Sequence, residues 1–106
     1  MSRVGPKATI NLTPQATADI LRLDDFLWEQ SDPLAGELYA YIIKVLRLLE
    51  LQPGIGRPVG VQLRELIIDR GRSGYLARYQ YLRAAKLVTI LRIRHQSESG
   101  YTLEEV

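Results

Sequence analysis

Apolar and polar residues alternate from Lys7 to Leu12, with Ala8, Ile10 and Leu12 on one side and Thr9 and Asn11 on the other. A period of two describes a short strand with one buried face. Thr13-Pro14 then reads as a helix N-cap followed by proline at the first helical position. From Gln15 to about Gln30 the period lengthens. Ile20, Leu23 and Leu27 share a stripe with Phe26 and Trp28 alongside, while Asp19, Asp24, Asp25 and Glu29 take other positions, as in an amphipathic helix. Ser31-Asp32-Pro33 repeats the start signal, with Asp32 as the cap. The helix expected after it carries Leu34, Leu38, Tyr41, Ile42, Val45, Leu48 and Leu49 at three- and four-residue spacing, and ends at Gln52-Pro53-Gly54. So short a connection predicts an antiparallel helical hairpin.

Residues 53–60 hold two prolines and three glycines and read as an irregular connection. Beyond them the period returns to two. Leu63 to Asp69 is rich in Ile and Leu, and Asp69-Arg70-Gly71-Arg72-Ser73-Gly74 is a turn. Tyr75, Ala77, Tyr79 and Tyr81 then share one face, with Leu76, Arg78, Gln80 and Leu82 on the other. Arg83-Ala84-Ala85-Lys86 is a tight connection into the β-forming run Leu87 to Ile93. The fold class predicted is α+β: a strand, an antiparallel helical hairpin, and a three-stranded antiparallel meander, with the helices packed on one face of the sheet. The first strand joins the sheet edge, because an isolated strand leaves its backbone groups unsatisfied. Residues 1–106 are expected to form one domain, loose at Met1–Pro6 and Leu103–Val106.

Charge changes this picture more than bulk composition does. Residues 1–53 carry five Lys/Arg against seven Asp/Glu, and residues 54–106 carry nine against five. Eight of those nine cations are Arg, whose planar fork suits phosphate or carboxylate. The second half therefore fits either an anionic partner or a solvated strand face. The chain has no Cys and one His, which rules out disulfides, thiol nucleophiles and multi-histidine metal sites. No metal or cofactor is expected. No apolar run approaches the ~20 residues that span a bilayer, and Met1 to Pro6 lacks the apolar stretch of a signal peptide, so the expectation is a cytoplasmic protein with no membrane partner.

Four groups of residues invite a chemical reading. Arg94, His95 and Tyr101 follow the last strand: a base or acid, a cation for a phosphorane-like charge, and a ring that stacks or donates a proton. Such a set suits metal-independent RNA cleavage through the 2′-hydroxyl, although a single His beside an Arg at a strand end more often serves structure. Strand alternation puts Arg94 and His95 on opposite faces unless the strand ends or bulges there. Arg64, Arg78, Arg92 and Arg94 form a second group. Arg92 and Arg94 share a face by parity, and such a row either receives an anionic partner or is neutralised by Glu65, Asp69 or a helix carboxylate. Tyr75, Tyr79 and Tyr81 read as a core stripe with wet hydroxyls, or as a base-stacking surface. Gly71-Arg72-Ser73-Gly74 precedes a strand rather than a helix, so it is a hairpin turn with exposed arginines and not a phosphate loop.

These phrases, in this order, resemble the RelE/ParE toxin superfamily of type II toxin–antitoxin systems. Leu63-Arg64-Glu65-Leu66, Ser73-Gly74-Tyr75-Leu76-Ala77-Arg78-Tyr79 and Val88-Thr89-Ile90-Leu91-Arg92-Ile93-Arg94-His95-Gln96 are similar to its second, third and fourth strands, and Gly100-Tyr101 closes the tail in its manner. The resemblance spans roughly residues 8–101. It implies a cognate antitoxin that wraps the toxin through helix and strand contacts, and a homodimer or toxin–antitoxin hetero-oligomer. One branch cuts ribosome-bound mRNA; the ParE-like branch poisons DNA gyrase by binding. Arg94, His95 and Tyr101 suit the first branch. Leu76, where that branch often places Arg, the presence of only three lysines, the long helical hairpin and the Arg-His-Gln tail place the chain nearer the second. The resemblance thus implies a growth-inhibiting gyrase poison whose target contacts are Arg78, Arg92, Arg94, His95 and Tyr101. The alternatives are a ribosome-dependent endoribonuclease using Arg94, His95 and Tyr101, and a non-toxic remnant that still binds antitoxin.

Overall fold

The computed structural model describes residues 7–70 and 73–98. The expected loose ends, the turn residues Gly71 and Arg72, and Tyr101 lie outside the described residues.

The first strand, β1 (Thr9–Leu12), leads directly into helix α1 (Pro14–Glu29). Thr13 makes the junction. Its extended backbone lets its Oγ1 accept the Ala16 N–H at 3.0 Å, while the same hydroxyl donates to Leu91 O at 2.9 Å. One residue thus caps the helix and ties it to the last strand. The buried stripe of α1 is Ala16, Ile20, Leu23 and Leu27, as the spacing predicts, but Asp19 lies buried among them rather than on the polar side.

The second helix starts later than its apolar spacing suggests. Asp32 Oδ1 accepts the Leu34 N–H at 2.8 Å and forms a turn, and α2 runs only over Leu38–Leu46, tightening into a 3₁₀ turn at Arg47–Glu50. Gly36 accounts for the delay. Its φ of +88° belongs to the left-handed region, and its N–H donates to both carboxylate oxygens of Asp24 at 2.9 and 3.1 Å. A Cβ there would lie 3.1 Å from the Trp28 ring, so the turn requires glycine on both counts.

Residues 53–60 hold a further strand instead of an irregular link. β2 (Arg57–Gly60) pairs antiparallel with β3 (Leu63–Arg70), with a register irregularity between Pro58 and Gly60. Proline and glycine hid this strand from the sequence pattern, and both are tolerated because β2 is the outermost strand. β3 pairs antiparallel with β4 (Ser73–Leu82), and β4 with β5 (Leu87–His95). β1 lies parallel to β5, in register from Thr9↔Leu87 to Leu12↔Ile90. The α+β class stands, but the sheet is five-stranded and mixed, in the order β1-β5-β4-β3-β2.

The core forms between the helices and one sheet face. Ile20, Leu38, Ile42, Leu46 and Leu49 meet Ile68, Tyr75, Tyr79, Val88, Ile90 and Ile93. Each fully buried aliphatic side chain here contributes about 1.5–3 kcal/mol of hydrophobic stabilisation. The tyrosine stripe belongs to this core: Tyr75 and Tyr79 are buried and Tyr81 packs at its margin. Among the described residues no helix is long and apolar enough to cross a membrane.

Candidate functional site

The charged residues of β5 are arranged by a bulge. Tyr79 pairs with Ile90 and Arg78 with Arg92, so Leu91 is the extra residue on β5. β1 ends opposite Ile90, and α1 takes over the strand edge from there. Thr13 N donates to Ile90 O at 3.0 Å, Thr13 Oγ1 to Leu91 O, and Ile93 N donates to Asp19 Oδ2 at 2.9 Å. The same carboxylate accepts Arg92 Nε and Nη2 at 2.8 and 2.9 Å, a fork matching both oxygens. Arg92 is 7% exposed and Asp19 4%. Arg92 was expected among the target contacts; the structure makes it a buried cation that seals helix to strand.

The neighbouring cations are also matched within the fold. Glu65, 4% exposed, accepts Arg57 Nη2 at 3.2 Å and Arg78 Nη2 at 3.1 Å. Arg64 donates to Gly54 O at 3.0 Å and Gly56 O at 2.7 Å, pinning the loop before β2. Tyr79 completes that clamp: its hydroxyl donates to Pro53 O at 2.8 Å and accepts the Gly56 N–H at 2.9 Å. Burial raises the Tyr79 pKa above its ordinary value of 10.0, against the Gly56 N–H and the Arg64 guanidinium, which lower it. Of the two readings open for the arginine row, neutralisation by carboxylates is the one realised at Arg78 and Arg92.

Arg94 and His95 leave β5 on opposite faces. Arg94 pairs with Leu76, which lies outside the helix-side core; His95 pairs with Tyr75, which lies inside it. The Arg94 guanidinium donates to Glu98 O and His95 O, holding the turn after β5. The His95 ring stands edge-on to Tyr75, with centroids 5.3 Å apart, and its Nδ1 lies 2.8 Å from Ser97 Oγ and accepts the Ser97 N–H at 3.0 Å. Glu98 fastens this turn to α1: its Oε2 accepts Arg22 Nη1 and its Oε1 accepts His95 N, each at 2.9 Å.

Behind the turn lies a surface cavity of about 760 Å³ between the C-terminal half of α1 and the ends of β4 and β5. His95, Ser97, Tyr75 and Arg22 line it, with Phe26 at its lip. His95 therefore faces a cavity that Arg94 does not. Asp19, Glu65 and Glu98 are the carboxylates that organise these cations, and residue-type reasoning passed over Asp19 and Glu98. Asp19 carried a readable signal, since a carboxylate three residues beyond Ala16 and four before Leu23 sits inside the apolar stripe.

With this geometry in view, known proteins supply the class. The family described as "ParE toxin of type II toxin-antitoxin system, parDE" matches residues 10–100. The chain belongs to that family, within the RelE/ParE superfamily of type II toxin–antitoxin toxins. It is 29% identical over 90 residues to Toxin RelE3 of Caulobacter vibrioides, covering 85% of this chain and 96% of that protein. Its fold is similar to a chain in the toxin–antitoxin complex RelBE2 from Mycobacterium tuberculosis, at a TM-score of 0.59 and 21% identity, covering 85% of this chain and 99% of the other.

Proposed function

We propose that this toxin inhibits growth by binding and poisoning DNA gyrase in the cytoplasm, and that a cognate antitoxin neutralises it. The observation that carries this reading is the separation of Arg94 from His95. Two groups fixed on opposite sheet faces, each held by its own backbone and side-chain partners, suit a contact surface better than a shared reacting atom. Membership of the ParE family supports the same side. The contacts are Arg78 within β4, Arg94 and His95 at the end of β5, and Tyr101, which lies outside the described residues. Arg92 is not among them, because its guanidinium is buried against Asp19. The antitoxin partner is supported by the family and by the RelBE2 complex, in which a similar fold sits in a toxin–antitoxin assembly.

The test is a supercoiling assay with purified toxin, run beside cleavage of ribosome-bound message. Dose-dependent loss of supercoiling with intact message is expected, weakened by Arg78→Ala and His95→Ala. Cleaved message with unimpaired supercoiling overturns the proposal and assigns Arg94, His95 and Tyr101 to an endoribonuclease. Expression without antitoxin and without a growth defect leaves only an antitoxin-binding remnant.

A further inference from the structure

The cavity behind the His95 turn has a composition at odds with the rest of the chain, whose net charge is +2. Asp25, Glu29, Asp32 and Glu98 line it against a single guanidinium, Arg22. Arg22 already pairs with Glu98 at 2.9 Å, and Asp32 holds its own turn. Asp25 and Glu29 are exposed and make no ion pair among the described residues. They stand one helical turn apart on the same side of α1. The cavity is apolar beneath this rim, where Leu23, Leu27 and Tyr75 are buried. Phe26, at the lip, is 56% exposed and closes nothing. An exposed aromatic beside an apolar groove is the anchor type that dominates binding energy at protein interfaces.

We propose that this groove is a docking site for a cationic, amphipathic segment of a partner polypeptide. Its apolar side chains cover Leu23, Leu27 and Phe26, and its Lys or Arg residues answer Asp25 and Glu29. Charge complementarity selects this occupant. An acidic segment would meet four carboxylates across one guanidinium, and a neutral apolar one would leave Asp25 and Glu29 without partners. A second copy of this chain would present Arg57, Arg78 and Arg92 with Glu65 and Asp19 beside them, a partly neutralised face where the groove calls for a net cation. The inference is independent of which target the toxin inhibits.

Three labelled heptapeptides of identical leucine pattern test it, with Arg, Gln or Glu at the polar positions, titrated by fluorescence anisotropy against the whole chain. The Arg peptide is expected to bind at least about tenfold more tightly than the Glu peptide at low salt, and to lose that preference as salt rises. Amide shifts should fall on His95, Ser97 and the end of α1. Asp25→Asn with Glu29→Gln should weaken the Arg peptide about tenfold, and Arg22→Gln should strengthen it, a sign that misfolding would not produce. Equal affinity for the three peptides, no binding at all, an unchanged affinity in the Asp25/Glu29 variant, or shifts elsewhere on the sheet each overturn the proposal. So does a simple alkylamine binding as tightly as the peptide, because the groove would then select a small amine and not a polypeptide segment.

Discussion

Across the sheet each buried carboxylate meets a guanidinium, Asp19 with Arg92 and Glu65 with Arg57 and Arg78; around the cavity at the end of α1, carboxylates outnumber cations four to one. The difference follows exposure. Asp19 and Glu65 are 4% exposed, and a charge so buried is tolerated only when paired and hydrogen-bonded. Asp25 and Glu29 are exposed and hydrated, so folding asks no partner of them. The matched charges therefore serve the fold, while the unmatched ones remain available for recognition.

Breaking the matched set should have the largest effect. Asp19→Ala removes the carboxylate matched to the buried Arg92 guanidinium and the acceptor of the Ile93 N–H, and is expected to destabilise the fold by about 3–5 kcal/mol. Denaturant unfolding measures it, and a midpoint near that of the parent would refute the structural role of this pair.

Tyr79→Phe comes next, since it removes the two hydroxyl hydrogen bonds to the Pro53–Gly56 loop and leaves those from Arg64, for a loss of about 1–3 kcal/mol. It carries a pH signature. The folded pKa of Tyr79 is raised above 10.0, so the unfolded chain releases the proton first. The Tyr79 contribution is complete below pH 10 and is lost as pH climbs from there toward the raised folded value. Urea unfolding at about pH 9 and about pH 11 should show this loss in the parent and a smaller one in Tyr79→Phe.

The smaller effects sharpen the contrast. Arg57 is 67% exposed at its side chain, so Arg57→Ala should cost under about 1 kcal/mol, with Arg78 still facing Glu65. Asp25→Asn with Glu29→Gln should shift stability by less than about 0.5 kcal/mol while changing peptide affinity about tenfold. A stability loss as large as that of Asp19→Ala would erase the distinction between the two regions.

Local structure was readable because its causes are local. Thr13-Pro14 announces the cap of α1, the stripe from Ala16 to Leu27 its buried side, and the alternation from Tyr75 to Leu82 a strand. The errors arose where a backbone conformation or a distant neighbour overrode the period. Apolar spacing carried the second helix back across Gly36, whose positive φ forbids it. The Pro- and Gly-bearing segment at 57–60 became a strand because β3 offered it a free edge.

Residue identity along the chain therefore determined α1 and its start, the strands other than β2, and the family, since period and capping act over a few neighbouring residues. Only the tertiary structure decided what the charged side chains do. Arg92 and Asp19 lie 73 positions apart and meet because a bulge at Leu91 and the early end of β1 expose a strand edge for α1 to seal. His95 and Arg94 are adjacent in the chain and are parted by the sheet itself. Of the residues that announce the family, Arg94 and His95 thus divide, in the folded molecule, between a turn bound to α1 and a cavity whose charge opposes that of the chain.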